Sequence, residues 1–148
     1  MNESLIDAEL RRDEGVRYSP YRDTKGILTV GIGHNMEASP LPSDWIAPLT
    51  DDQVDQLLNH DLSVVYVALD LHLPWWEELD EVRQRVVVNM AFNLGTAKLC
   101  EFHQTLACMK AADYAGAADG MLDSAWANEV HDRATRLADA MRTGVMPA

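Results

Sequence analysis

Glu14, Asp23 and Thr29 are the residues of this chain whose types and placement could support acid–base chemistry. Glu14 follows Ile6 and Leu10 at steps of four, so a helix would carry its carboxyl group on the same stripe as two apolar side chains, facing a core or a cleft. It also falls in the last turn before Gly15, where the negative end of the helix dipole and partial desolvation both favour the protonated form. A carboxyl group held in that form is suited to donate a proton. The plain alternative is a surface glutamate fraying beside Gly15. Asp23 opens Asp23-Thr24-Lys25-Gly26, a composition that fits a type I turn, and an aspartate there often does no more than bond the following amides. Thr29 falls in a strand-like run where Leu28, Val30 and Ile32 would share the core face, which points the threonine hydroxyl away from it. A β-branched residue in a strand needs no further reason. Taken singly, Asp23 and Thr29 read more readily as structural residues than as chemical ones.

The elements that must position these residues are legible in outline. A first helix runs from Ser4 to Gly15, with Ser4 and Asp7 approximating a capping box and Gly15 ending it. Between Tyr18 and His34, Pro20, the turn and Ile27 to Val30 predict a β-hairpin or small sheet. Glu37 to Leu49, with its three prolines, reads as a loop packed down by Trp45 and Ile46. Thr50 and Gln53 form a T-x-x-Q capping box, after which Val54, Leu57, Leu58, Leu62, Val65 and Leu69 recur at helical spacing as far as Pro74. A second helix from Trp76 to Leu94 is apolar all round at Val86 to Leu94, as a central core helix would be, and Gly95 ends it. Shorter helical patterns follow near 102–111, 113–123 and 132–142. Helix, small sheet, long helix and helical cluster make an α+β fold: a small β lobe over about residues 15–50 and a larger helical lobe over about 62–148 plus the N-terminal helix, joined by the long helix, with a cleft between the lobes.

Composition narrows the function classes. Twenty-four acidic residues against twelve Lys and Arg give a net charge of -12, which leaves no basic stripe for phosphates and argues against nucleic acid as a partner. The N-terminal run has neither a basic segment nor an apolar one of a secretion signal, and the apolar run at Val86 to Leu94 is too short to span a bilayer. The expectation is a protein that does not insert into membranes and starts in the cytoplasm. Cys100 and Cys108, eight apart in a helical pattern, are too distant for a bridge and read as free thiols. No metal or cofactor is expected, because no third ligand stands at suitable spacing from His34 and Asp61.

The run D-E-G-V-R-Y-S-P-Y-R-D-T-K-G-I-L-T-V-G-I-G-H, residues 13 to 34, resembles the active-site signature of the phage T4-type lysozymes, or endolysins, almost position by position. The likeness continues more weakly through N-H-D at 59–61, N-M-A-F-N-L-G at 89–95, and S-A-W, Arg133 and R-T-G near the end. It implies a lysozyme-like fold. It also implies hydrolysis of the β-1,4 bond between N-acetylmuramic acid and N-acetylglucosamine in bacterial peptidoglycan, with inversion. Glu14 would be the general acid, with Asp23 and Thr29 holding the attacking water. The resemblance pairs Asp61 with His34, and Asp61 also falls inside the apolar stripe of its helix, where a carboxylate needs a partner. It further points to Asn35, Phe92 and Thr105 as substrate contacts, although Phe92 reads more readily as core. Another family contact falls on Gly120, which has no side chain to offer. Arg133 matches an arginine placed near the catalytic glutamate, where a cation would favour the carboxylate form.

The resemblance implies an enzyme that lyses the host for phage release. It would be a monomer that reaches the wall from the cytoplasm through a separate holin-like pore. The segment between His34 and Thr50 is shorter than in well-known members, Glu129-Val130 replaces a polar pair, and the acidic charge offers poor attraction to an anionic wall. Two other readings stay open. One is a lytic transglycosylase of the same superfamily, which needs the glutamate but not the water-holding aspartate. The other is a non-catalytic glycan-binding protein with this fold.

Overall fold

The computed structural model describes residues 1–148 as eight α-helices, one 3₁₀ turn and a three-stranded antiparallel sheet, an α+β fold. The chain divides into two compact units, Glu3–Val64 and Met1–Asn2 with Val65–Ala148. No helix is long and apolar enough to cross a membrane.

The first unit contains α1 (Glu3–Glu14), β1 (Arg17–Arg22), β2 (Leu28–Gly31), β3 (His34–Asn35) and the first part of α2 (Asp51–His72). The sequence pattern assigns α1 to the helical lobe; its contacts place it with the sheet. Arg11 bonds Asp55 of α2 at 2.5 Å, and the Glu14 carboxyl group lies over Gly33. Asp7 is not half of a capping box, because its carboxylate pairs with Arg11 one turn further on. The strands are ordered β1-β2-β3, with Tyr21 opposite Thr29, Thr29 opposite Asn35 and Val30 opposite His34. A register shift separates Arg17 from Tyr21, and Pro20 is tolerated because β1 is an edge strand. In the following loop Ile46 is 81% exposed, against expectation. The loop is held instead by buried Leu49, whose amide donates to the Tyr18 carbonyl at 2.7 Å. The Thr50–Gln53 capping box is complete in both directions, at 2.9 and 3.1 Å.

The second unit is helical: α3 (Glu81–Leu94), α4 (Thr96–Leu99), α5 (His103–Lys110), α6 (Tyr114–Leu122), α7 (Ala125–Val130) and α8 (Asp132–Thr143), preceded by a 3₁₀ turn at Trp76–Glu78. The continuous helix expected from Trp76 is therefore broken. Asp80 is extended, and its side chain accepts from the Arg83 amide to start α3 afresh. Two short helices, α4 and α7, escape a periodicity reading, though Ser124 caps α7 through the Ala127 amide. The break after α4 also puts Cys100 and Cys108 outside any shared helix; both are free thiols. Val86 to Ala91 are all buried, including Asn89, which accepts from Arg133 Nε at 2.9 Å. Arg83 closes the far end of the unit. Its guanidinium lies 3.6 Å from the Tyr114 ring and donates to the Met141 and Arg142 carbonyls, two of the orphan acceptors at the end of α8.

Candidate active site

Glu14 is the last residue of α1, and Gly15 follows with φ of 74°, turning the chain directly into β1. Its half-buried side chain reaches the β2–β3 turn, where Gly33 has φ of 64°. A Cβ at Gly33 would stand 2.7 Å from Glu14 Oε2 and 2.9 Å from Cδ, so only glycine admits the carboxyl group there. This close approach explains the second glycine of G-I-G-H, which sequence reading leaves without a role.

Asp23 is built into the turn between β1 and β2. Its Oδ1 accepts from the Lys25 and Ile27 amides, both at 2.9 Å, while its backbone pairs with Ile27 and Gly26. Oδ2 takes no part in the turn. Thr29 departs from expectation: it is 4% exposed, because both faces of the short β2 strand are covered. Its hydroxyl donates to the Ile27 carbonyl at 2.8 Å, which leaves the oxygen lone pairs as acceptors.

Tyr21, which the sequence reading passes over, joins these groups. It pairs directly with Thr29 across the ladder, so both side chains leave the same face of the sheet. Burial pushes its phenol up, the charge of Glu14 adds to this, Arg17 opposes it and Asp23 reinforces it. The Arg17 guanidinium lies 4.5 Å from the Tyr21 ring centroid. The signal available in sequence was the two-residue alternation of β1, which sets Tyr21 in register with Thr29 once the turn is fixed.

His34 and Asp61 are brought together. His34 is 2% exposed, its Nδ1 lies 2.7 Å from Asp61 Oδ2, and its Nε2 lies 2.8 Å from the Ser39 carbonyl oxygen. Burial alone would lower the imidazole's affinity for protons, but the hydrogen bond and charge of Asp61, with the Ser39 carbonyl, hold its pKa above the ordinary histidine value. The pair ties β3 to α2. Asn35 Oδ1 accepts from the Glu37 and Ala38 amides, at 2.9 Å each, so that end of the side chain is committed to a turn. Phe92 and Thr105 belong to the other unit. Phe92 is half-buried in α3, and Thr105 is 6% exposed in α5, its hydroxyl occupying the space that a Cβ on Gly120 of α6 would need.

The model of the phage lysozyme family matches residues 11–139. The chain belongs to that family. It is 30% identical, over 97% of its length, to the pre-baseplate central spike protein Gp5 of Enterobacteria phage T4, of which it spans 28%. It is 26% identical to probable T4-type lysozyme 1 of Dictyostelium discoideum, over 98% of each chain, and 27% identical to the endolysin of Salmonella phage P22, over 76% of this chain and 75% of that one. Membership makes this a lysozyme-like enzyme of the glycosidase type.

Proposed function

We propose that this protein is a muramidase, hydrolysing the β-1,4 bond between N-acetylmuramic acid and N-acetylglucosamine in peptidoglycan with inversion, and that it serves as an endolysin in phage release. The observation that carries the reading is the fixed presentation of Glu14 and Asp23 within one unit. Glu14 lies against Gly33, and Asp23 is held by the two amides that bond its Oδ1. In the proposed reaction the Glu14 carboxyl group gives its proton to the glycosidic oxygen as the bond to the anomeric carbon breaks. A water on the opposite face of the sugar donates one hydrogen bond to Asp23 Oδ2 and another to Thr29 Oγ1. The Thr29 hydroxyl can only accept from that water, since its own hydrogen goes to Ile27. Asp23 takes a proton from the water as it attacks, giving the inverted hemiacetal.

The deciding measurement is digestion of purified peptidoglycan with product analysis. Hydrolysis yields new reducing ends at muramic acid, whereas 1,6-anhydro ends would establish a transglycosylase and no release of fragments would establish a binding protein. Glu14→Gln should fold as the wild type and lose about 10²- to 10⁴-fold in rate, because an amide cannot supply the proton.

A further inference from the structure

We propose that Arg17, presented by Tyr21, is a specificity-determining residue that binds a carboxylate carried by the substrate glycan. This rests on the muramidase reading and extends it to what the sugar strand must carry. Five of the twelve Lys and Arg of this acidic chain fall between Arg11 and Lys25. Arg11 is held by Asp7 and Asp55, Arg12 lies 3.8 Å from Asp13, and Arg22 bonds the Gly26 carbonyl and lies 3.5 Å from Glu37. Arg17 is exposed and has no carboxylate partner; its contact is the Tyr21 ring. An arginine over an aromatic face keeps its five N–H donors, which lie in the guanidinium plane, free at the guanidinium's edge, a fork that suits a carboxylate.

Its position matters as much as its freedom. Tyr21 faces Thr29 across the ladder, so the ring that Arg17 covers leaves the same face of the sheet as the Thr29 side chain assigned to the attacking water. The chain as a whole is strongly negative, with a net charge of -12, so an anionic strand is repelled except where a free cation receives it. Muramic acid supplies such an anion in either of two ways. Its lactyl group ends in a free carboxylate when unsubstituted, and when it bears a peptide the carboxylates belong to that peptide.

The test compares wild type, Arg17→Gln and Arg17→Lys on three substrates: native walls, walls whose carboxylates have been converted to amides, and walls stripped of peptide by an amidase. On native walls Arg17→Gln should raise KM roughly tenfold, as expected for losing a charge-assisted hydrogen bond, with Arg17→Lys recovering part of the loss. On amidated walls the wild type and Arg17→Gln should converge, an outcome that a merely structural arginine would not produce. On stripped walls convergence assigns the peptide carboxylate as the ligand, and a persisting gap assigns the lactyl carboxylate. Equal KM values on native walls, or a gap that survives amidation, would overturn the proposal. Failure of the wild type to cut any wall would remove the muramidase reading and this inference together.

Discussion

Replacing Asp61 by asparagine tests the buried His34–Asp61 contact of the sheet unit, because the substitution keeps the shape of the side chain and removes only its charge. Both ring nitrogens of His34 face acceptors, the Asp61 carboxylate and the Ser39 carbonyl, so the doubly protonated imidazolium is the form whose hydrogen bonds are all satisfied. Breaking a fully buried ion pair costs about 3–5 kcal/mol, and an exposed one about 0–1 kcal/mol. With the His34 side chain 2% and the Asp61 side chain 20% exposed, the loss should fall at about 2–3 kcal/mol. For a domain of this size that is a fall in Tm of about 5–10 °C. The raised folded pKa of His34 fixes the pH dependence. The contribution is fully present below the unfolded histidine value of about 6.5 and is lost as pH rises through the folded value. Asp61→Asn should therefore cost most at pH 5 and least at pH 9. His60, 57% exposed, lies 3.1 Å from the other carboxylate oxygen. Repeating the melts in a His34→Gln background should remove the buried pair's share. A difference in Tm that is flat from pH 5 to 9, or larger at pH 9, would refute the ion-pair account. A folded Asp61→Asn protein without activity would move the pair into the mechanism.

Asp23→Asn retains an oxygen for the Lys25 and Ile27 amides, so it should melt within a few degrees of wild type while hydrolysis falls about 10²- to 10⁴-fold; near-normal turnover would return Asp23 to a turn former. Gly33→Ala should cost about 1–2 kcal/mol for its left-handed backbone and displace the Glu14 carboxyl group, lowering kcat more than KM. Wild-type kcat in that variant would show that Glu14 is not fixed by the glycine. Gly120→Ala should destabilise by about 1–3 kcal/mol through contact with the Thr105 hydroxyl, and Thr105→Ala in the same chain should restore part of the loss. Additive losses in calorimetry would contradict that contact.

The parts of this fold that could be read from sequence are those fixed by neighbours a few residues apart. The Thr50–Gln53 box is a local reciprocal bond, and the structure contains both halves of it. The break before α3 is local too, but the Asp80 cap lies inside a run whose apolar period continues across it, and periodicity masks the restart. Ile46 and Thr29 fail for a different reason. Whether a loop residue packs down, or a strand covers one face or two, is decided by segments distant in sequence, as with Leu49 on the Tyr18 carbonyl. The buried polar pair Asn89–Arg133 links positions 44 residues apart, which no local pattern registers.

Asp23 shows why the candidate site was nonetheless readable. Weighing turn former against water holder treats the two roles as rivals, but a carboxylate has two oxygens and the structure divides them. Oδ1 is consumed by the Lys25 and Ile27 amides, which fixes the plane of the group, and Oδ2 lies outside the turn. The turn that makes the aspartate look ordinary is therefore what would hold its second oxygen still without cost at the moment of attack. Glu14 follows a related logic, since the helix end sets where its side chain starts and the glycine opposite leaves the space its carboxyl group occupies. Local structure and proposed chemistry draw on the same residues here, so a sequence pattern strong enough to specify the turn and the helix stop also specifies where the two carboxyl groups stand.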